Sequence, residues 1–118
     1  MSKWICTPIA VAALLMASAA TPARAAGHVS AQQLLRACQA DPEEEKSFCM
    51  AYVLGVADGH MSLQAAAPDM VKFFCLPAGV SAGRIVEVTV GYLTAHPADL
   101  HYAAADEVAL ALHDAFAC

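Results

Sequence analysis

Any reaction run by this 118-residue chain would have to draw on its five cysteines, five histidines and scattered carboxylates. His28, His60, His96, His101 and His113 fall singly along the chain. No H-E-x-x-H, no G-x-S-x-G and no glycine-rich phosphate loop accompanies them. Cys38, Cys49, Cys75 and Cys118 remain once an N-terminal leader containing Cys6 is set aside, so no odd thiol is left over as a nucleophile. The nearest pair of these four is eleven residues apart and there is no C-x-x-C, which argues against zinc. Asp58, in G-V-A-D-G, is the one carboxylate in a conspicuous setting, and its simplest role is structural, accepting hydrogen bonds where helices cross. No catalytic group, metal or cofactor is assigned, and the chain reads as a protein that acts by contact rather than by turnover.

The leader is the first element to place. Lys3 supplies a positive start, Ile5 to Ala20 is mostly apolar, and Ala23-Arg24-Ala25 is a small-x-small processing site. The run falls short of a membrane span, so residues 1–25 read as a secretory signal peptide and residues 26–118 as one small domain, in the periplasm and not inserted in the membrane. Without Lys3 and Arg24 the net charge of −5 becomes −7. That acidity argues against nucleic acid and anionic lipid surfaces as partners and is compatible with a basic protein.

The four cysteines of an exported chain predict two disulfides. Of three possible connectivities, Cys38–Cys75 with Cys49–Cys118 ties the entrance of one helix to the end of another and pins the C-terminus to the central helix. Loops of that length would each contribute about 4 kcal/mol in the chain-entropy description, comparable with the whole stability of a small domain.

The elements that carry these residues are helices. Ser30 with Gln33 predicts a capping box for a helix over about 30–40. Asp41, Pro42 and Glu44 then give three start signals for a central helix, with almost no loop between the two. Phe48, Cys49, Tyr52, Val53 and Val56 form its buried side, Glu43 to Glu45 suit the positive end of its dipole, and the helix is able to run on to Pro68. Gly55 and Gly59 each cost about 1 kcal/mol in a helix relative to alanine, which predicts close approach of a neighbour over them, or a bend at Gly59.

A tethered loop ending at Cys75-Leu76-Pro77-Ala78-Gly79 follows. A third helix opens at Ser81 and places Ile85, Val88, Tyr92 and Leu93 at helical spacing, despite a β-branched run, until His96-Pro97. A fourth, from about Ala103 to Phe116, would bury Val108, Leu112, Ala115 and Phe116. The fold class is an all-α, disulfide-stapled bundle of about four helices.

The ordered blocks L-L-R-A-C-Q, F-C-M-A-Y-V-L-G-V-A-D-G, C-L-P-A-G-V-S-A-G, Y-L-T-A-H-P and the closing A-F-A-C resemble the immunity proteins of the Tai type, which neutralise peptidoglycan amidases delivered by type VI secretion. The resemblance spans nearly all of the chain beyond the leader. It implies a periplasmic helical domain, often a homodimer, that binds the amidase and obstructs its active site. The chain departs from the pattern in a longer, more apolar segment over 65–74 and in Ala117, where a proline usually precedes the last cysteine.

For such a binder, loops held by a stapled scaffold bind at little ordering cost, so contact is expected around 65–74 and 97–101, through Met70, Phe73, Phe74, Asp99 and His101. With Leu63, the apolar members of that set mark an interface if exposed and a lid over the bundle's open end if not. The alternatives from other classes are an acid-stress chaperone of the HdeA kind, which would unfold near pH 2 to 3, and an orphan envelope binding protein.

Overall fold

The computed structural model describes residues 27–118, and the leader expected over 1–25 lies outside the described residues. Four helices run in the order α1 (Ala31–Gln39), α2 (Glu43–Ala66), α3 (Ala82–Ala95) and α4 (Ala104–Ala115), with a 3-10 turn at Pro97–Asp99. The only β-type pairing among the described residues is one isolated bridge between Ser30 and Ala103, so the fold is an all-α bundle.

The capping box forms as the sequence predicts. Gln33 N–H donates to the Ser30 hydroxyl at 3.2 Å, and Ser30 N–H donates to Gln33 Oε1 at 2.9 Å. The remaining free donors of the first turn of α1 go to the connection before α4: Ala31 N–H bonds Tyr102 O and Gln32 N–H bonds Leu100 O, both at 2.9 Å. Gly27 lies against the same connection, where a Cβ would come within 2.8 Å of the Ala103 Cβ, so only glycine fits without a shift.

The start of α2 differs from expectation. Pro42 stands at the cap with no side-chain hydrogen bond, one residue later than the Asp41 cap the sequence suggested. Its carbonyl accepts from Glu45 and Lys46, while Glu43, Glu44 and Glu45 fill the first turn.

The buried side of α2 is Cys49, Val53 and Ala57, with Tyr52 and Val56 half-buried. Phe48 is rotated out of this stripe, 44% exposed, and its ring sits 5.8 Å from that of Tyr52. Gly55 and Gly59 face open space, with no atom within 4 Å of an added Cβ, and α2 continues through both. Neither close approach nor a bend explains them within this chain. In α3 the run of β-branched residues is helical because Ile85, Thr89 and Leu93 recur every fourth position on one buried face. Thr89, fully buried, donates its hydroxyl to Ile85 O at 3.0 Å.

Helix α4 buries Ala104, Glu107, Val108, Ala111 and Leu112, whereas Ala115, expected inside, is exposed and Phe116 is half-buried. Leu34, Val53, Phe74, Leu93, Val108 and Leu112 are the large apolar side chains at the centre, each less than 2% exposed.

The disulfides join Cys38 to Cys49 and Cys75 to Cys118, not Cys38 to Cys75 and Cys49 to Cys118. The reason is topological. The α1–α2 hairpin turns within residues 40–42, so the end of α1 lies beside the first turns of α2 and brings the Cys38 and Cys49 Cα atoms to 5.0 Å. Cys75 reaches the end of α4, where its N–H donates to Phe116 O at 2.8 Å, next to Cys118.

Candidate functional site

The last turns of α2 and the connection from α2 to α3 carry a run of exposed apolar residues. Val71 is 88% exposed, Leu63 52%, Met70 41% and Phe73 40%. Burying even part of this surface against a partner would be favourable at about 25 cal/mol per Å². The loop bearing it is fixed at several points. At its start Ala67 N–H bonds Leu63 O at 2.9 Å and Met70 N–H bonds Ala67 O at 3.0 Å. At its end stands the Cys75–Cys118 disulfide.

Between these anchors two imidazoles hold the backbone and rings. The His60 ring stacks on Phe74 at 4.0 Å, and Gln64 Nε2 donates to the His60 Nε2 at 2.6 Å and to Phe74 O at 3.4 Å. His113, on α4, stacks on Phe73 at 4.6 Å and donates its Nδ1–H to Phe73 O. Phe74 is therefore a core residue, 1% exposed, rather than a member of the surface cluster, because its ring is drawn under the loop onto His60. Val71, which the sequence reading did not single out, takes the most prominent position. Its place between Met70 and Lys72, in an apolar segment with no helical period, was the available signal.

Asp99 and His101 lie elsewhere. They belong to the connection preceding α4, whereas Cys75 bonds just beyond its other end, so the two loops flank opposite ends of a 12-residue helix, about 18 Å long. Asp99 is half-buried, and His101 is exposed with its ring 3.9 Å from that of Tyr102. The structure thus brings Met70 and Phe73 together and keeps Asp99 and His101 apart from them.

Among the described residues, clefts open beside the helices. One, of about 470 Å³, runs between α3 and α4 past Arg84, Glu87, Gly91, His96 and Asp114. Arg84 and Glu87 pair along the α3 wall at 3.1 Å, and His96 donates Nδ1–H to Tyr92 O at 2.7 Å while stacking on that ring at 4.0 Å. Another, of about 390 Å³, lies between α2 and the start of α3, walled by Leu54, Ala57, Leu76, Val80 and Ile85.

Asp58 stands at this second cleft and is exposed, so it does not accept hydrogen bonds within a helix crossing as expected. At 100° per residue it is carried past the Cys49, Val53, Ala57 stripe. Tyr52 bridges α2 and α4. Burial pushes its phenol above the ordinary value of 10.0, a hydrogen bond from the Ala105 backbone works the other way, and the Asp106 carboxylate adds to the rise.

No group of three or more His, Cys, Asp and Glu among the described residues is placed to hold a metal ion, and no described helix is long and apolar enough to cross a membrane. Three of the histidines, His60, His96 and His113, hold rings or carbonyls in place. What the arrangement offers chemically is a rigid apolar projection on an acidic body.

In comparison with known proteins, the profile of the Rap1a immunity proteins matches residues 30–118. No curated protein and no solved structure matches the chain.

Proposed function

The chain belongs to the Rap1a immunity proteins, and from that premise we propose that it is a periplasmic inhibitor of a peptidoglycan amidase delivered by type VI secretion, protecting the cell that makes it. The observation that carries the site assignment is the loop over 67–76, whose Val71 is 88% exposed on a backbone held by a disulfide and two imidazoles. A projection ordered before binding loses little conformational freedom on docking, which favours tight inhibition.

In this reading Val71, Met70 and Phe73 enter the enzyme's cleft and Leu63 seals the rim. Asp99 and His101 meet a partner broad enough to span α4. The net charge of −7 beyond the leader speeds encounter with a basic effector and repels nucleic acid. Self-association as a homodimer is part of the proposal, through the exposed face of α2 at Phe48, Gly55 and Gly59, where the absent side chains allow two backbones to approach.

The test is direct. The purified protein is titrated into a peptidoglycan amidase effector of type VI secretion, with calorimetry for affinity and turbidity of peptidoglycan for activity. Stoichiometric inhibition, weakened by Val71→Asp, is expected. Undiminished peptidoglycan cleavage at saturating inhibitor would refute the function.

A further inference from the structure

We infer that the cleft between α2 and the start of α3 is a second contact site, an anchor pocket that takes one apolar side chain of a protein partner lying next to a lysine or arginine. The inference rests on the binding reading above and extends it to a part of the surface that reading leaves unused.

The chemistry of the walls selects the occupant. Leu54, Ala57, Leu76, Val80 and Ile85 present carbon, with Ala57 only 1% exposed at the base. In about 390 Å³ there is room for a large aliphatic or aromatic side chain. Asp58 is the single ionisable residue among those lining the cleft, it is exposed, and it makes no ion pair among the described residues. A carboxylate beside an apolar hole attracts a cation at the neck of whatever fills the hole and turns away an anion. Met61, 51% exposed on the same rim, is an unbranched and polarisable side chain that adapts to the shape of its guest.

The pocket is also formed in advance. Its outer wall, residues 76–80, begins one residue after the Cys75–Cys118 disulfide and ends at Ser81, whose hydroxyl caps α3 by accepting from Arg84 N–H at 3.2 Å. Within that wall Gly79 adopts φ of 79°, a left-handed turn that a larger residue would strain. The same connection therefore bears the projecting Met70-Val71 tip and the pocket wall, so a partner seated on one reaches the other.

The experiment follows backbone amide shifts of the ¹⁵N-labelled protein, purified from the cell envelope, during titration with 2-phenylethylammonium and, separately, phenylacetate. Saturable shifts at Asp58, Met61, Gly79 and Val80 with the cation alone are expected. They should be about three-fold weaker in Asp58→Asn, the share of an exposed ion pair, and abolished in Ala78→Trp, where an indole on the exposed wall fills the opening. Equal response to phenylacetate, or no saturable response at these amides, overturns the inference. So do shifts at the same amides that follow protein concentration without probe, which mean that a second copy fills the cleft.

Binding to the effector separates the two claims. Asp58→Lys is expected to weaken it about ten-fold while leaving the helical circular dichroism unchanged. If Val71→Asp weakens binding and Asp58→Lys does not, the pocket is wrong and the inhibitor reading stands. If the wild-type protein binds no effector, the inhibitor reading falls and the cation titration still decides the cleft.

Discussion

The two disulfides close loops of different length, and their removal should be felt unequally. Cys38 and Cys49 are separated by 11 positions and Cys75 and Cys118 by 43. Chain entropy then gives about 3 kcal/mol for the first staple and about 4 kcal/mol for the second. Alanine is the better replacement, because Cys49 is 2% exposed and a serine hydroxyl there would have to be buried. The small void left at Cys49 adds up to about 1 kcal/mol to the cost of the first pair, so the totals approach each other.

The location of the damage separates them. Cys38→Ala with Cys49→Ala loosens the α1–α2 corner, while Cys75→Ala with Cys118→Ala releases the loop over 67–76 that His60, Gln64 and His113 then hold alone. Urea unfolding followed by circular dichroism should show midpoints lowered by about 4 M in each double variant, at a slope of about 1 kcal/mol per molar. Limited proteolysis should cut near Val71 in the second variant only. Peptide mapping that links Cys38 to Cys75, or equal cleavage near Val71 in both variants, would refute the reasoning.

Other outcomes are equally specific. Val71→Asp should weaken effector binding by about 30-fold or more, as expected at an interface hot spot, with thermal stability unchanged, measured by calorimetry and melting. Tyr52→Phe should flatten the loss of stability at high pH: with its phenol raised in the folded state, the wild type keeps that contribution below pH 10.0 and loses it as pH rises through the higher folded value, which unfolding midpoints across alkaline buffers will show. Gly55→Ala and Gly59→Ala, with open space at both Cβ positions, should each stabilise an isolated chain by about 1 kcal/mol, and should lower dimer affinity in sedimentation equilibrium if α2 is the self-association face. Ser30→Ala should cost about 1 kcal/mol by removing the cap of α1, read by thermal melting.

Much of this fold was legible in the chain because helix signals are local. Ser30 and Gln33 announced α1, Ser81 announced α3, and Pro68 and His96-Pro97 marked where helices stop, each through a bond or a clash within a few residues. An even set of four cysteines over residues 26–118 announced two disulfides for the same kind of reason, since the count depends on composition alone.

What no local signal held was which groups meet. The pairing of Cys38 with Cys49 depends on the hairpin closing within three residues, and the burial of Phe74 beneath an exposed Val71 depends on His60 arriving from α2. Phe48 and Asp58 carried the right periodicity for the interior and a crossing, yet a helix turns 100° per residue and only its neighbours decide where the buried stripe is centred. The sequence by itself determined that the chain is helical, stapled and acidic, because those properties belong to residues and near neighbours. Only the tertiary structure decided which apolar residues reach solvent and where the clefts open, because burial is a property of packed elements and not of the residue that is buried.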